Sequence, residues 1–237
     1  MLGLGANIAM SDRLFSLNDI SDLSLYLKNG VGVSLAQWDD SSGNANHATQ
    51  ATSGDQGELL EGGLHFEKDE GDHYDLGTEI TISAQQGFTL FFVAEIEAIA
   101  QNATILSKAS TIHFFEMMSG GDNIRLRLGS TNTVVGPDTQ NLWGNAAGKF
   151  LMTLVREAGS TGNIILYNKG VLLSQATAGQ AANTGDAEYS IIGARGGDGS
   201  EDRFIDGTIY ELAFYEKQLS AYELADVHSY LIDKHGL

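Results

Sequence analysis

From residue 23 onward the chain is a succession of short apolar runs, separated by glycine, asparagine, aspartate and serine, and no helical period interrupts them before the C-terminus. The runs are residues 23–27, 64–66, 88–96, 104–107, 112–117, 124–128, 150–156, 164–167, 171–173, 189–193 and 208–215. In 124–128 the alternation is strict, which sends Ile124, Leu126 and Leu128 inward and points Arg125 and Arg127 at water. Strands without crossover helices cannot build a covered parallel sheet. They must form an antiparallel sandwich in which each sheet buries its apolar face against the other. There is no internal repeat and no linker, so residues 23–237 read as one domain, preceded by an extended N-terminal arm at 1–22.

The turns need residues that tolerate positive φ, and the composition supplies them: 29 glycines against a single proline, Pro137. Asn168-Lys169-Gly170 between two apolar runs predicts a hairpin. One helix is specified at the C-terminus. Ser220 and Glu223 form a capping box, Leu219 and Leu224 a hydrophobic staple, and Leu224, Val227 and Leu231 an apolar stripe. Lys234 and His235 suit the last turn and Gly236 the left-handed stop. This helix is expected to lie on the sandwich and close one end of it.

Charge and cysteine content remove whole classes of function. Thirteen basic against 31 acidic residues give a formal net charge of −18, which disfavours nucleic acid as a partner. No apolar run approaches the ~20 residues of a membrane span. The absence of cysteine removes disulfide scaffolds, thiolate metal sites and cysteine nucleophiles. The first base is Arg13, so the basic start of a secretory signal is missing. Motifs for serine hydrolases, zinc proteases and P-loop enzymes are absent.

The residues Trp38-Asp39-Asp40-Ser41-Ser42-Gly43-Asn44-Ala45-Asn46-His47-Ala48 resemble a stretch found in laminin-G-like, concanavalin A-like jelly-roll domains. Gly62-Gly63-Leu64-His65-Phe66 with Asp72-His73-Tyr74-Asp75-Leu76-Gly77 looks like that family's second strand pair. Leu166-Tyr167-Asn168-Lys169-Gly170-Val171 is similar to one of its hairpins, and 206–231 to its closing strand and helix. The arm, then Leu23-Ser24-Leu25-Tyr26-Leu27, then the Trp38 motif also resembles lectin-like structural proteins of tailed bacteriophages. The resemblance implies a two-sheet antiparallel jelly-roll sandwich with one short C-terminal helix. It also implies a non-enzymatic virion protein, a capsid decoration or a tail or fibre component. Its expected partners are other virion proteins, cell-surface glycans and further copies of itself, and it is expected to assemble in the host cytoplasm. A secreted carbohydrate-binding module is the alternative, and an endoglycosidase ranks behind both.

Four sets of residues carry site hypotheses. Glycosidases need two carboxylates flanking the scissile bond. The nearest match to an E-x-D-x-x-E strand is Glu67-Lys68-Asp69-Glu70-Gly71-Asp72, which lacks the last glutamate and is interrupted by Gly71, so no catalytic residue is assigned. Residues 55–79 hold nine acids against one base, Lys68. Asp69, Glu70, Asp72 and Asp75 are the candidate calcium ligands there, with a solvated acidic rim as the competing reading. No cofactor is required. Residues 39–47 read as a turn held by side-chain bonds, with Trp38 a core anchor. Trp143, flanked by Asn141 and Asn145, is a candidate sugar platform, against a tryptophan packed under its own turn. In the arm, Leu2, Leu4, Ile8 and Met10 are candidate docking residues.

Overall fold

The computed structural model describes residues 15–97, 102–108, 113–119, 123–128, 131–136, 148–159, 162–176, 186–196 and 201–237. It is a sandwich of two antiparallel sheets. The first sheet contains β1 (Leu23–Leu27), β4 (Glu58–Leu60), β5 (Gly63–Phe66), β7 (Phe88–Ile96), β12 (Phe150–Arg156), β13 (Ile164–Asn168), β14 (Val171–Ala176) and β16 (Gly207–Tyr215). Its order is β14-β13-β12-β7-β16-β5-β4. The free edge of β16 is shared: its first residues pair with β5 and its last with β1. The second sheet contains β2 (Gln37–Trp38), β3 (Ala48–Thr49), β6 (Tyr74–Ile82), β8 (Ala103–Ser107), β9 (Phe114–Met117), β10 (Ile124–Leu128), β11 (Thr131–Val135) and β15 (Ala187–Ile192), in the order β11-β10-β9-β8-β15-β6-β3-β2. The expected jelly-roll sandwich is present, and 88–96, 124–128 and 150–156 are strands with the boundaries that periodicity gives. Residue 112 lies outside the described residues.

Two cores, not one, hold the molecule together. Between the sheets, Phe88, Leu90, Phe92, Leu212 and Phe214 meet Phe115, Leu126 and Tyr189. Phe88 stacks on Phe214 with centroids 5.6 Å apart, and Phe115 on Tyr189 at 4.6 Å. On the outer face of the first sheet, Tyr26, Phe91, Val93, Leu151 and Tyr215 pack with Leu17, Leu219, Val227 and Leu231. Strands β7, β12 and β16 are therefore buried on both faces. That is why 88–96 reads as a nearly continuous apolar run, broken by the buried Thr89 and by Glu95 near its end.

The second core corrects two expectations. Helix α1 (Ala221–His235) does not close an end of the sandwich but lies across the outer face of the first sheet. Its capping box forms as expected: Glu223 N–H donates to Ser220 Oγ at 3.3 Å and Ser220 N–H to Glu223 Oε2 at 2.8 Å. Gly236 ends it at φ 66°. Residues 15–22, assigned to the arm, belong to the packed domain: Leu17 and Ile20 are buried, and the Tyr215 hydroxyl donates to the Leu17 carbonyl at 3.0 Å. Leu2, Leu4, Ile8 and Met10 lie outside the described residues. The hairpin at 168–171 has Lys169 and Gly170 at φ 48° and 75°, the paired positive angles of a type I′ turn.

A third correction concerns the outer face of the second sheet. Arg125 does not simply face water. Its Nη2 donates to both oxygens of the fully buried Glu116 at 2.8 Å, and Arg203 donates to the same carboxylate. The segment carrying Arg203 crosses this face, its carbonyl accepting the Thr104 N–H at 2.8 Å. A carboxylate removed from water in this way needs paired cations.

Candidate functional site

A cavity of about 390 Å³ opens between the sheets, lined by Asp22, Leu23, Ser24, Asn44, Asn46, Thr78, Glu79, Ile80 and Glu216. Its size falls within the ~300–1,000 Å³ typical of small-molecule sites. Four pieces of chain build it: the start of β1, the residue after β16, the loop between β2 and β3, which forms the roof, and the middle of β6.

Both walls carry an interruption in the ladder. On β1 the register against β16 slips at Ser24, between the pairs Leu23↔Tyr215 and Leu25↔Phe214. On β6 four residues, Leu76 to Glu79, oppose the single Ser190 of β15 between the pairs Ile80↔Tyr189 and Asp75↔Ile191. Such bulges bend a strand and re-aim its side chains, and here they turn Thr78 and Glu79 onto the cavity. Extra residues leave backbone groups without ladder partners, and the roof supplies substitutes: the Gly77 N–H donates to the His47 carbonyl at 3.0 Å and the Thr78 N–H to Asn46 Oδ1 at 2.8 Å.

The roof is organised by one carboxylate. Asp40 Oδ1 accepts the N–H groups of Tyr26 at 2.9 Å and Ser42 at 2.8 Å, while Oδ2 accepts the Ser42 hydroxyl at 2.7 Å and the Asn46 N–H at 3.0 Å. Asn44 Nδ2 ties the loop to β1 through the Leu23 carbonyl at 2.8 Å. The side-chain-held turn at 39–47 and the buried Trp38, whose Nε1 donates to the Lys28 carbonyl at 3.1 Å, are therefore as expected. The position of that turn above a cavity is not visible in its sequence.

The cavity's chemistry follows from what these bonds leave over. Asn46 is 4% exposed and spends its N–H on Asp40 and its Oδ1 on Thr78; its Nδ2 has no partner among the described residues. Asp22 and Glu216 stand together at the first wall, where the Glu216 N–H donates to the Asp22 carbonyl at 2.8 Å. Burial lifts the Glu216 carboxyl above its ordinary range, opposed by a hydrogen bond from Ser24 and assisted by the Asp22 charge. Glu79 lies 3.4 Å from Lys108 Nζ, which also holds Glu188. Among the described residues, no lysine or arginine lines the cavity. Leu23 and Ile80 provide apolar surface between the polar groups.

The acidic stretch does not converge into a metal centre. Asp69 and Glu70 are exposed on the turn after β5, Asp75 is exposed on β6, and Asp72 is turned inward, with Oδ2 accepting the Glu67 N–H at 2.7 Å. Burial pushes the Asp72 carboxyl up, against that backbone bond. Among the described residues no group of three or more histidines and carboxylates is arranged to hold a metal ion. Trp143, Asn141 and Asn145 lie outside the described residues. Sequence reasoning missed Asp22, Thr78 and Glu216; it quoted Asn44 and Asn46 only as parts of a motif.

The architecture is that of a two-sheet jelly-roll sandwich with a cavity at its rim. No protein-family model matches the chain, and no curated protein matches it by sequence. Solved structures do match in fold. The binding domain of Paraclostridial Mosquitocidal Protein 1 superposes with a TM-score of 0.68 at 12% identity, over 92% of this chain and 54% of that one. The ligand binding domain of botulinum neurotoxin serotype D, in complex with N-acetylneuraminic acid, gives 0.60 at 16% identity, over 91% and 52%. A Trypanosoma rangeli sialidase gives 0.59 at 17% identity, over 91% and 33%. The chain spans about half the length of the toxin domains and a third of the sialidase. At these identities the likeness is one of fold.

Proposed function

We propose that this chain is a non-enzymatic, lectin-like binding protein whose rim cavity holds glycan, displayed on the virion of a tailed bacteriophage as a capsid decoration or tail component. The observation that carries the binding reading is the cavity itself. Hydroxyl, amide and carboxylate side chains converge there over Leu23 and Ile80, the mixture of polar groups and apolar surface that a sugar ring presents in complement. Engagement of N-acetylneuraminic acid by a toxin domain of the same fold supports a ligand-holding role for such a sandwich. The virion setting is supported by the resemblance in the order of arm, first strand and Trp38 motif. A net charge of −18 also suits dense display without aggregation.

Catalysis finds less support. In the Glu67 to Asp72 stretch Asp69 and Glu70 are exposed, whereas Asp72 is turned inward onto the Glu67 N–H. A glycan array with the purified chain tests the binding reading, and a reducing-sugar assay on every glycan bound tests its non-enzymatic half. Sustained release of reducing ends would overturn the latter. Immuno-electron microscopy of the source particle separates a virion component from a secreted module. Removal of residues 2–14, ahead of the packed Leu17, is expected to release the protein from its assembly with the fold intact. Unchanged incorporation into particles would discard the docking arm.

A further inference from the structure

We infer that the rim cavity takes an uncharged, hydroxyl-rich saccharide and turns away sialylated ones. The inference rests on the glycan-binding reading and deepens it by naming the ligand class.

Three carboxylates, Asp22, Glu79 and Glu216, line the cavity, with no lysine or arginine among the described lining residues. Lys108 lies 3.4 Å from Glu79, and its charge is divided between Glu79 and Glu188. Lys217, close to the first wall through Ser21, is engaged by Glu223 at 2.9 Å. A bound sialic acid carboxylate needs a cationic or multi-donor partner. Here it would meet three carboxylates and no cation among the described lining residues, in a chain that is already strongly negative.

A neutral polyol meets the opposite situation. Carboxylates accept and do not donate, whereas the unpartnered Asn46 Nδ2 donates and does not accept. A sugar hydroxyl does both, so a vicinal pair of hydroxyls can give protons to Asp22 or Glu216 while accepting one from Asn46. Asn46 is buried and held in place at two points, by Asp40 and by the backbone of the β6 bulge, so its donor is fixed before any ligand arrives. Preorganisation of this kind lowers the entropic cost of binding.

The test uses the full chain on an array of neutral hexose, N-acetylhexosamine and sialylated oligosaccharides, followed by calorimetry with the best neutral probe and its sialylated counterpart. The neutral probe is expected to bind at least about tenfold more tightly. The double variant Asp22→Asn and Glu216→Gln keeps side-chain shape and removes charge, and is expected to shrink that ratio to below about threefold. Asn46→Asp retains an acceptor for the Thr78 N–H, removes the donor, and is expected to weaken neutral binding about tenfold. Melting curves confirm that the variants are folded. Preference for sialylated probes, or neutral binding indifferent to all three substitutions, overturns this inference and leaves the glycan reading standing. Binding of no glycan removes both.

Discussion

Glu211, in the middle of β16, and Glu216, one residue past its end, sit five residues apart, and the protein treats them in opposite ways. Glu211 points to the outer face of the first sheet. There the Tyr26 hydroxyl at 2.5 Å, His235 Nε2 at 2.6 Å and Lys234 Nζ at 2.7 Å converge on it. Burial works against its charge, but the bonds from His235, Lys234 and Tyr26 outweigh it and hold the carboxyl below the ordinary range. Glu216, with burial and the Asp22 charge against it and only Ser24 in its favour, is pushed the other way. The first carboxylate is a clasp between helix and sheet, with its bonding capacity spent. The second retains capacity for something that arrives from outside. The helix-covered wall is saturated, and the rim is left open.

The saturated wall gives the largest expected effects. Glu211→Ala removes the partner of Lys234 and His235 and is expected to cost about 3–5 kcal/mol, the range for breaking a buried ion pair. At ~2–4 °C per kcal/mol the melting temperature should fall by roughly 6–20 °C. Retention of the parental melting temperature would contradict the clasp and dissolve the contrast with Glu216.

His228 tests the same wall through pH. Its Nε2 lies 2.9 Å from Thr153 Oγ1, and its ring packs edge-on against Phe91 and near Tyr167, with no charged partner among these contacts. Burial drives its pKa down to about 4. The unfolded chain takes up the proton near ~6.5, whereas the folded chain resists it. Stability from this group is therefore complete above the unfolded value and declines as pH falls from there towards 4. The slope is about 1.4 kcal/mol per pH unit, or ~3 kcal/mol in all. Chemical denaturation at several pH values, repeated on His228→Gln, should show the decline in the parent and a flatter profile in the variant. Below that window Glu211 adds a loss of its own, since a carboxyl held low stabilises until it protonates.

A smaller effect is expected at the helix start. Ser220→Ala removes the cap on the Glu223 N–H and should cost about 1 kcal/mol without altering ligand binding. A loss of binding would show that the cap and the rim are coupled through Lys217, which joins Glu223 to Ser21.

The wall was more legible than the rim, for a physical reason. Ser220, Glu223, Val227 and Leu231 announce the helix through local spacing, and 88–96 and 150–156 announce strands through their apolar runs. What they do not announce is the surface the helix covers, because Phe91 and Phe92 read alike although one faces each core. The rim depends on register. The bulges at Ser24 and at Leu76 to Glu79 exist only relative to partner strands far away in sequence, and with them the convergence of Asp22, Asn46, Thr78 and Glu216. The turn at 39–47 lies between these cases. Its internal bonds were visible in its asparagines and aspartates, but Asp40's reach to the Tyr26 N–H was not.

Glu79→Gln is the mildest change and the one that most sharpens the contrast. Its partner Lys108 keeps Glu188, so no buried charge is stranded, and a partly exposed pair of this kind is worth ~0–1 kcal/mol. The melting temperature should move by no more than about 4 °C. The cavity nonetheless loses one of its three carboxylates, so sialylated probes should be rejected less strongly while neutral ones bind as before. A residue whose removal changes ligand choice and hardly changes stability is what an open rim predicts. The reverse pattern, a large stability loss with selectivity unchanged, would place Glu79 with Glu211 among the clasps.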